Sequence, residues 1–243
     1  MIVEVTGPSG VGKSSFIDQT VRHLTKNGIK TGAIHSAKLN NCLTIPRVFS
    51  ELESHNVMTD IMALPWSILF AVRNLQFSSW VLKRIFYLDE SLHVKVAILR
   101  SFIRKSGIRC FLNRKKYAGT VIIVDEGLFH CAHNFLCSPS RCASDKEIRL
   151  FFDLCPKPDK LIMLKADKEI LLERLNKRGD LSPRISDITS LEGFVSNSYL
   201  LFTKLETLLV KNEVGISLGT NNCLQSKISK AGINYIVGSN SKN

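Results

Sequence analysis

The sequence has no CxxC pair, and its cysteines are odd in number: Cys42, Cys110, Cys131, Cys137, Cys142, Cys155 and Cys223. That pattern excludes a small disulfide-built scaffold and makes a reducing, cytoplasmic setting the expectation. A secretory leader is not expected, because Met1 runs into an apolar stretch with no basic segment and no small-residue cleavage site. Long apolar runs are lacking. The longest, Leu64 to Leu82, is broken by Arg73, Asn74 and Gln76, so it reads as a buried or interfacial helix and not as a membrane span. Internal repeats and low-complexity segments are absent. With 44% hydrophobic and 22% charged residues, the composition excludes a disordered chain, a collagen and a coiled coil. A chain of 243 residues can bury the core of one domain without disulfides or metals to hold it.

Acidic residues are scarce. Lys and Arg number 33 against 21 Asp and Glu, a formal net charge of +12. Between Asn74 and Ala118 there are ten basic residues and two acidic ones. Phe77, Trp80, Phe86, Tyr87 and Phe102 are interleaved with them. Three readings stay open for this zone: a solvated cationic face over core aromatics, a lid for an acceptor, or a surface for an anionic membrane. Nucleic acid is not expected, because no recognised binding module accompanies the charge.

Along the chain, apolar β-type runs alternate with helical patterns. Ile2–Thr6, Thr31–His35, Thr120–Val124, Lys160–Leu164 and Gly215–Leu218 are the strand candidates. The run TVIIV has no alternation, which suits a strand buried on both faces of a parallel sheet. Helices are expected over Ser14–Lys26, Lys168–Lys177, Leu191–Val210 and Leu224–Ala231. Residues 40–60 read as loop and short helix, and Gly238–Asn243 as a frayed tail. Pro65 to Arg114 predicts two or three amphipathic helices. Pro65 is expected at a first turn, and the apolar faces run through Ile68, Leu69, Val72 and Leu75, then Val94, Ala97, Ile98 and Phe102. The class is therefore α/β with a parallel sheet.

The strongest motif is GPSGVGKSS, comprising Gly7, Pro8, Ser9, Gly10, Val11, Gly12, Lys13, Ser14 and Ser15. It satisfies G-x-x-x-x-G-K-[ST] between a predicted strand and a predicted helix, the setting a phosphate-binding loop needs. Its glycines let backbone N–H groups wrap an anion, and the helix adds its positive end. Lys13 is expected to reach the β- and γ-phosphates of ATP, and the Ser14 hydroxyl to ligate Mg2+.

VIIVDEG, Val121 to Gly127, is a Walker B-type strand. Asp125 at its end is placed to hold the Mg2+ shell, and Glu126 to orient or deprotonate a nucleophile. Arg174 and Arg178 are four residues apart on one helix face, and Arg184 follows in a loop. Arginines on such a segment, residues 174–190, can close over transferring phosphates, with Arg174 on the nucleotide and Arg178 and Arg184 catalytic.

With these elements in place the chain resembles the thymidylate-kinase-like branch of P-loop nucleoside and nucleotide kinases. PDKLIMLKADKEILLERLNKRGD, Pro158 to Asp180, is similar to that family's strand, helix and arginine-lid unit, and Tyr199 fits the helix after it. ILFAVRN, Ile68 to Asn74, resembles the helix that carries a substrate-phosphate arginine, which makes Arg73 the candidate. The resemblance implies a single three-layer α/β/α P-loop NTPase domain over residues 1–243. It also implies a five-stranded sheet in the order 2-3-1-4-5 and, by analogy with related kinases, a homodimer as one assembly, whereas the helical acceptor region, residues 45–118, is expected to be larger than in those enzymes.

The sequence departs from the family at two places. Asp125-Glu126 stands where its nucleotide kinases have Asp-Arg, and His35-Ser36-Ala37-Lys38 replaces an Arg-Glu-Pro-Gly-Gly type segment. A carboxylate in place of an arginine suits a hydroxyl acceptor better than a phosphate. The expectation is thus an ATP- and Mg2+-dependent phosphotransferase acting on a nucleoside, nucleotide or other hydroxyl-bearing metabolite. The alternatives are a P-loop ATPase or nucleotide switch in which Glu126 activates water, and a nucleotide-binding adaptor at a membrane. His130, Cys131, His133, Cys137 and Cys142 were weighed as zinc ligands, but their spacing matches no common zinc module.

Overall fold

The computed structural model describes residues 1–34, 56–113, 119–178, 188–221 and 225–238. Five strands, β1 (Ile2–Thr6), β2 (Thr31–Ile34), β3 (Val121–Asp125), β4 (Lys160–Lys165) and β5 (Gly215–Gly219), form one sheet in the order β2-β3-β1-β4-β5. All four pairings are parallel, with Val3 opposite Ile123 on one side and Lys160 on the other. β1, at the centre, is buried throughout, as its unbroken run of strand-forming residues requires. Asp159 accepts a 2.6 Å hydrogen bond from the Ile2 backbone N–H, pinning the entry of β4 to the entry of β1.

Helices cover both faces. On one side lie α1 (Lys13–Lys26) and the C-terminal helix, Gln225–Val237. Here Phe16, Ile17 and Leu24 meet Val3, Val5 and Ile123, together with Ile228, Ile233 and Ile236. The C-terminal helix runs past the expected stop near Ala231. Gly232 does not end it but allows close packing, since a Cβ there would lie 2.6 Å from the Phe16 ring.

Between β2 and β3 the described residues form three helices, α2 (Asn56–Arg73), α3 (Leu75–Phe86) and α4 (Leu92–Leu112). They lie within the region expected to be helical. Two expectations are corrected. Pro65 lies inside α2 instead of opening it. The helix survives the lost backbone bond because it is packed tightly on α4. A Cβ on Gly107 would come 2.4 Å from Ala63 O, the Ser67 and Ser106 hydroxyls are hydrogen-bonded at 2.8 Å, and Asp60 pairs with Arg100 and Arg104. The second correction concerns the buried face of α2. Ile68, Val72 and the following Leu75 are more than half exposed, whereas Ala63, Ser67 and Phe70 are buried. Asn74, whose side chain donates to Phe70 O at 2.9 Å, closes α2 and interrupts the expected face before Leu75.

Of the interleaved aromatics, Phe77 and Phe102 are core, Trp80 packs beside them, and Phe86 and Tyr87 are exposed. Two helices follow β3: the short α5 (Cys131–Leu136) and the amphipathic α6 (Asp145–Leu154), which buries Ile148, Phe151 and Phe152 on one face. Beyond β4 come α7 (Lys168–Arg178) and α8 (Ile188–Lys211), and the C-terminal helix is α9. The second layer, over the face opposite α1, joins Leu201, Leu205 and Leu209 of α8 to Phe129, Phe135 and Phe151. Among the described residues no helix is long and apolar enough to cross a membrane.

Candidate active site

The C-terminal ends of β1 and β3 bring the sequence-predicted residues together. β1 leads into the loop Gly7–Gly12, and the loop leads into the first turn of α1. Gly7, Gly10 and Gly12 all have positive φ, 145°, 82° and 95°. At Gly7 the reason is also steric, since a Cβ would lie 2.4 Å from Leu164 O of β4. Pro8 and Val11 are buried, Ser9 is half-buried, and Ser14 and Ser15 are exposed.

Lys13 is folded back over this loop. Its ammonium donates to Gly7 O and Pro8 O, both at 3.2 Å, and lies 3.3 Å from Glu126 Oε1. The Ser14 hydroxyl donates to Asp125 Oδ2 at 3.3 Å, across the gap between β1 and β3. A hydroxyl and a carboxylate side by side are a hard-oxygen donor pair, which fits Mg2+ when phosphate oxygens and water supply the remaining ligands.

Glu126 is one of two non-glycine residues with positive φ among those described, at 57°. Its N–H donates to Val5 O at 3.3 Å, which fixes that strained backbone to β1. Its Oε1 also lies 3.5 Å from Nε2 of buried His130, whose Nδ1 is 3.3 Å from the Thr6 hydroxyl. Burial raises the Glu126 carboxyl, but the charges of Lys13 and Lys105 and the Lys13 hydrogen bond pull it the other way, below the usual carboxylate range. Burial drives the His130 ring well below its ordinary value, against the pull of Glu126, so it is neutral. A neutral ring facing a carboxylate carries its proton on Nε2 and accepts from Thr6 at Nδ1.

Sequence reasoning did not single out three members of this cluster as site residues. Glu4, buried on β1, accepts the His130 backbone N–H at 3.0 Å, and burial pushes its carboxyl up to about 7. His130 was considered only as a metal ligand. Lys105, half-buried on α4, brings a positive charge to bear on Glu4 and Glu126. No spacing in the sequence signals these residues. They meet only through the parallel sheet and the insertion of α4.

The arginines are distributed differently. Arg174 donates to Gly10 O, Val11 O and Thr220 O at 3.2–3.4 Å, so it ties the glycine-rich loop to the end of β5. Arg178 is exposed at the end of α7, and Arg184 lies outside the described residues with most of the expected lid. Arg73 is exposed at the end of α2, and no hydrogen bond or ion pair joins it to the other described residues of the site. Among the described residues no three of His, Cys, Asp and Glu converge to hold a metal. Cys131 and Cys137 are buried thiols aimed at the carbonyls of Gly127 and Phe194. Beside the loop, a hollow of about 280 Å3 opens between Pro8, Met163, Asp167, Tyr199, Phe202 and Asn221.

No protein-family model matches the chain, and a search of curated proteins returns no relative.

Proposed function

We propose that the chain is an ATP- and Mg2+-dependent phosphotransferase of the P-loop class, similar to the thymidylate-kinase-like enzymes and acting on a hydroxyl-bearing small molecule in the cytoplasm. One observation carries the reading. A loop with three positive-φ glycines joins β1 to α1, with Lys13 folded over it and the Ser14 hydroxyl 3.3 Å from Asp125. That is the hardware for holding a polyphosphate at a helix N-terminus.

In this reading the loop N–H groups and Lys13 bind the β- and γ-phosphates. Ser14 and Asp125 hold Mg2+, which when bound offsets the negative charge of the phosphate oxygens. Glu126 orients the acceptor hydroxyl or takes its proton as that oxygen attacks the γ-phosphorus, and the bond to the bridging oxygen of ADP breaks. Arg178, at the end of α7, and Arg184 add positive charge to the transferring group, and Arg174 keeps the loop in shape. The hollow next to Pro8 is close to the lower limit of small-ligand sites, roughly 300 Å3.

A second reading keeps the same site and replaces the acceptor with water. The Glu126 side chain is 27% exposed, so water reaches it, as an ATPase or nucleotide switch requires. Transfer of label from γ-labelled ATP, with nucleosides, nucleotides, sugars and lipid extract as acceptor pools and Lys13→Ala as blank, separates the two. Label in one pool supports the kinase and names its substrate class. Label only as free phosphate in every pool supports the ATPase. No turnover and no nucleotide binding would sink both.

A further inference from the structure

Glu126 Oε1 is shared. The same oxygen lies 3.3 Å from Lys13 Nζ and 3.5 Å from His130 Nε2. Lys13 is the cation that a bound phosphate needs, and here it is already occupied by a carboxylate and by two carbonyls of its own loop. A phosphate entering the loop would meet Glu126 as a competitor of like charge. The carboxylate cannot travel far, since its backbone is held in the left-handed region by the bond to Val5 and followed by Gly127 packed against Glu4. A Cβ on Gly127 would sit 2.6 Å from that Glu4 carboxylate. The partner within reach is the neutral imidazole, whose other nitrogen is fixed by Thr6.

We propose that Glu126 is an internal counter-anion handed from Lys13 to His130 when a polyphosphate takes the lysine, so that His130 is the positioning residue that keeps the released carboxylate aimed at the acceptor. This rests on the phosphate-binding reading of the loop. Without phosphate, the Lys13–Glu126 pair closes the site. With it, the His130 Nε2–H and the positive charge of Lys105 hold a carboxylate that has lost its nearest cation. One swap of partners couples occupancy of the nucleotide site to the readiness of the base.

The test is binding of ADP and of inorganic pyrophosphate, each followed by isothermal titration calorimetry on the full chain. Glu126→Gln keeps the shape and removes the competing charge, so both probes should bind about three- to tenfold more tightly than to the unmodified protein. His130→Phe removes the one hydrogen-bond donor that could take Glu126 from Lys13 and should weaken both by about threefold. His130→Gln, which keeps an N–H near the Nε2 position, should recover most of that loss. In the Glu126→Gln background, His130→Phe should change nothing, because no carboxylate is left to hand over. Binding by the unmodified protein that is unchanged or weakened in Glu126→Gln overturns the proposal and leaves the phosphate-binding reading intact. So does a His130→Phe effect that persists without Glu126. If His130→Phe fails to fold, Glu126→Gln and His130→Gln still decide the matter. Absence of binding in the unmodified protein, with a normal thermal transition, overturns the phosphate-binding reading and this inference together.

Discussion

The hydroxyl of Ser14 reaches the carboxylate of Asp125 at 3.3 Å, although the two residues are 111 positions apart. The contact joins the first turn of α1 to the end of β3, and its meaning depends on the residues around it.

Asp125→Asn keeps the size and the acceptor for Ser14 but removes the charge. Label transfer should fall by about a hundredfold or more. The Mg2+ concentration needed for half-maximal activity should rise in the same variant. ADP binding without Mg2+ should be nearly unchanged, which calorimetry can check.

Glu4 gives a pH-dependent stability of unusual sign. Its folded-state pKa is raised from 4.5 to about 7, so between those values the folded protein binds the proton and the unfolded chain has released it. Stability from this group is therefore greatest below about pH 4.5, falls as pH rises towards 7 and stays lost above it. The full swing is on the order of 3 kcal/mol. Glu4→Gln should flatten the change in urea midpoint between pH 5 and 8, and should be the more stable protein at pH 8.

Arg174 makes three bonds to backbone carbonyls, a fork that a lysine cannot reproduce. Arg174→Ala and Arg174→Lys should both raise the KM for ATP, by about tenfold, with a smaller effect on kcat. A drop in kcat alone would show that the guanidinium acts on the transferring group and not on the loop.

Gly107→Ala tests the seam between α2 and α4. The new methyl would meet Ala63 O at 2.4 Å, a backbone atom that cannot move without parting the helices. A loss of about 1–3 kcal/mol is expected, read as a lower thermal midpoint. Binding of ADP should survive at temperatures below the transition.

Lys105 and Arg73 compete as the cation for an anionic acceptor. Lys105 is half-buried and acts on Glu126, whereas Arg73 is exposed. Lys105→Met should raise the acceptor KM by about tenfold, a loss near 1.4 kcal/mol, and Arg73→Ala should leave it unchanged. The reverse pattern would return the role to Arg73.

Much of this fold is legible in the residues. VIIVD and KLIML are continuous apolar runs because both faces of a parallel sheet are covered, and the loop motif lies between strand and helix as its chemistry demands. α6 carries a capping box, Ser144 with Glu147, that would have located it. α5 is six residues long, too short to show a period. The face of α2 was misread because the side turned to α4 is lined by Ala63 and Ser67. Close approach selects small residues there, and the large aliphatic ones fall on the outer side. Glu4 and His130 could not be found by spacing, since their roles arise from a contact between residues 126 positions apart.

The place of β1 between β3 and β4 has a consequence for how the chain acquires its structure. β1 and β2 are consecutive in sequence but share no ladder, and each must wait for β3, about 90 to 120 residues later, before it has a neighbour. The loop motif near the start of the chain is thus held open until the middle of the sequence arrives. The seam of α2 and α4 is local enough to form first. Hydrogen-exchange labelling during refolding should therefore protect residues 56–112 ahead of residues 2–6, so that the glycine-rich loop and its neighbours are among the last parts of the protein to take shape.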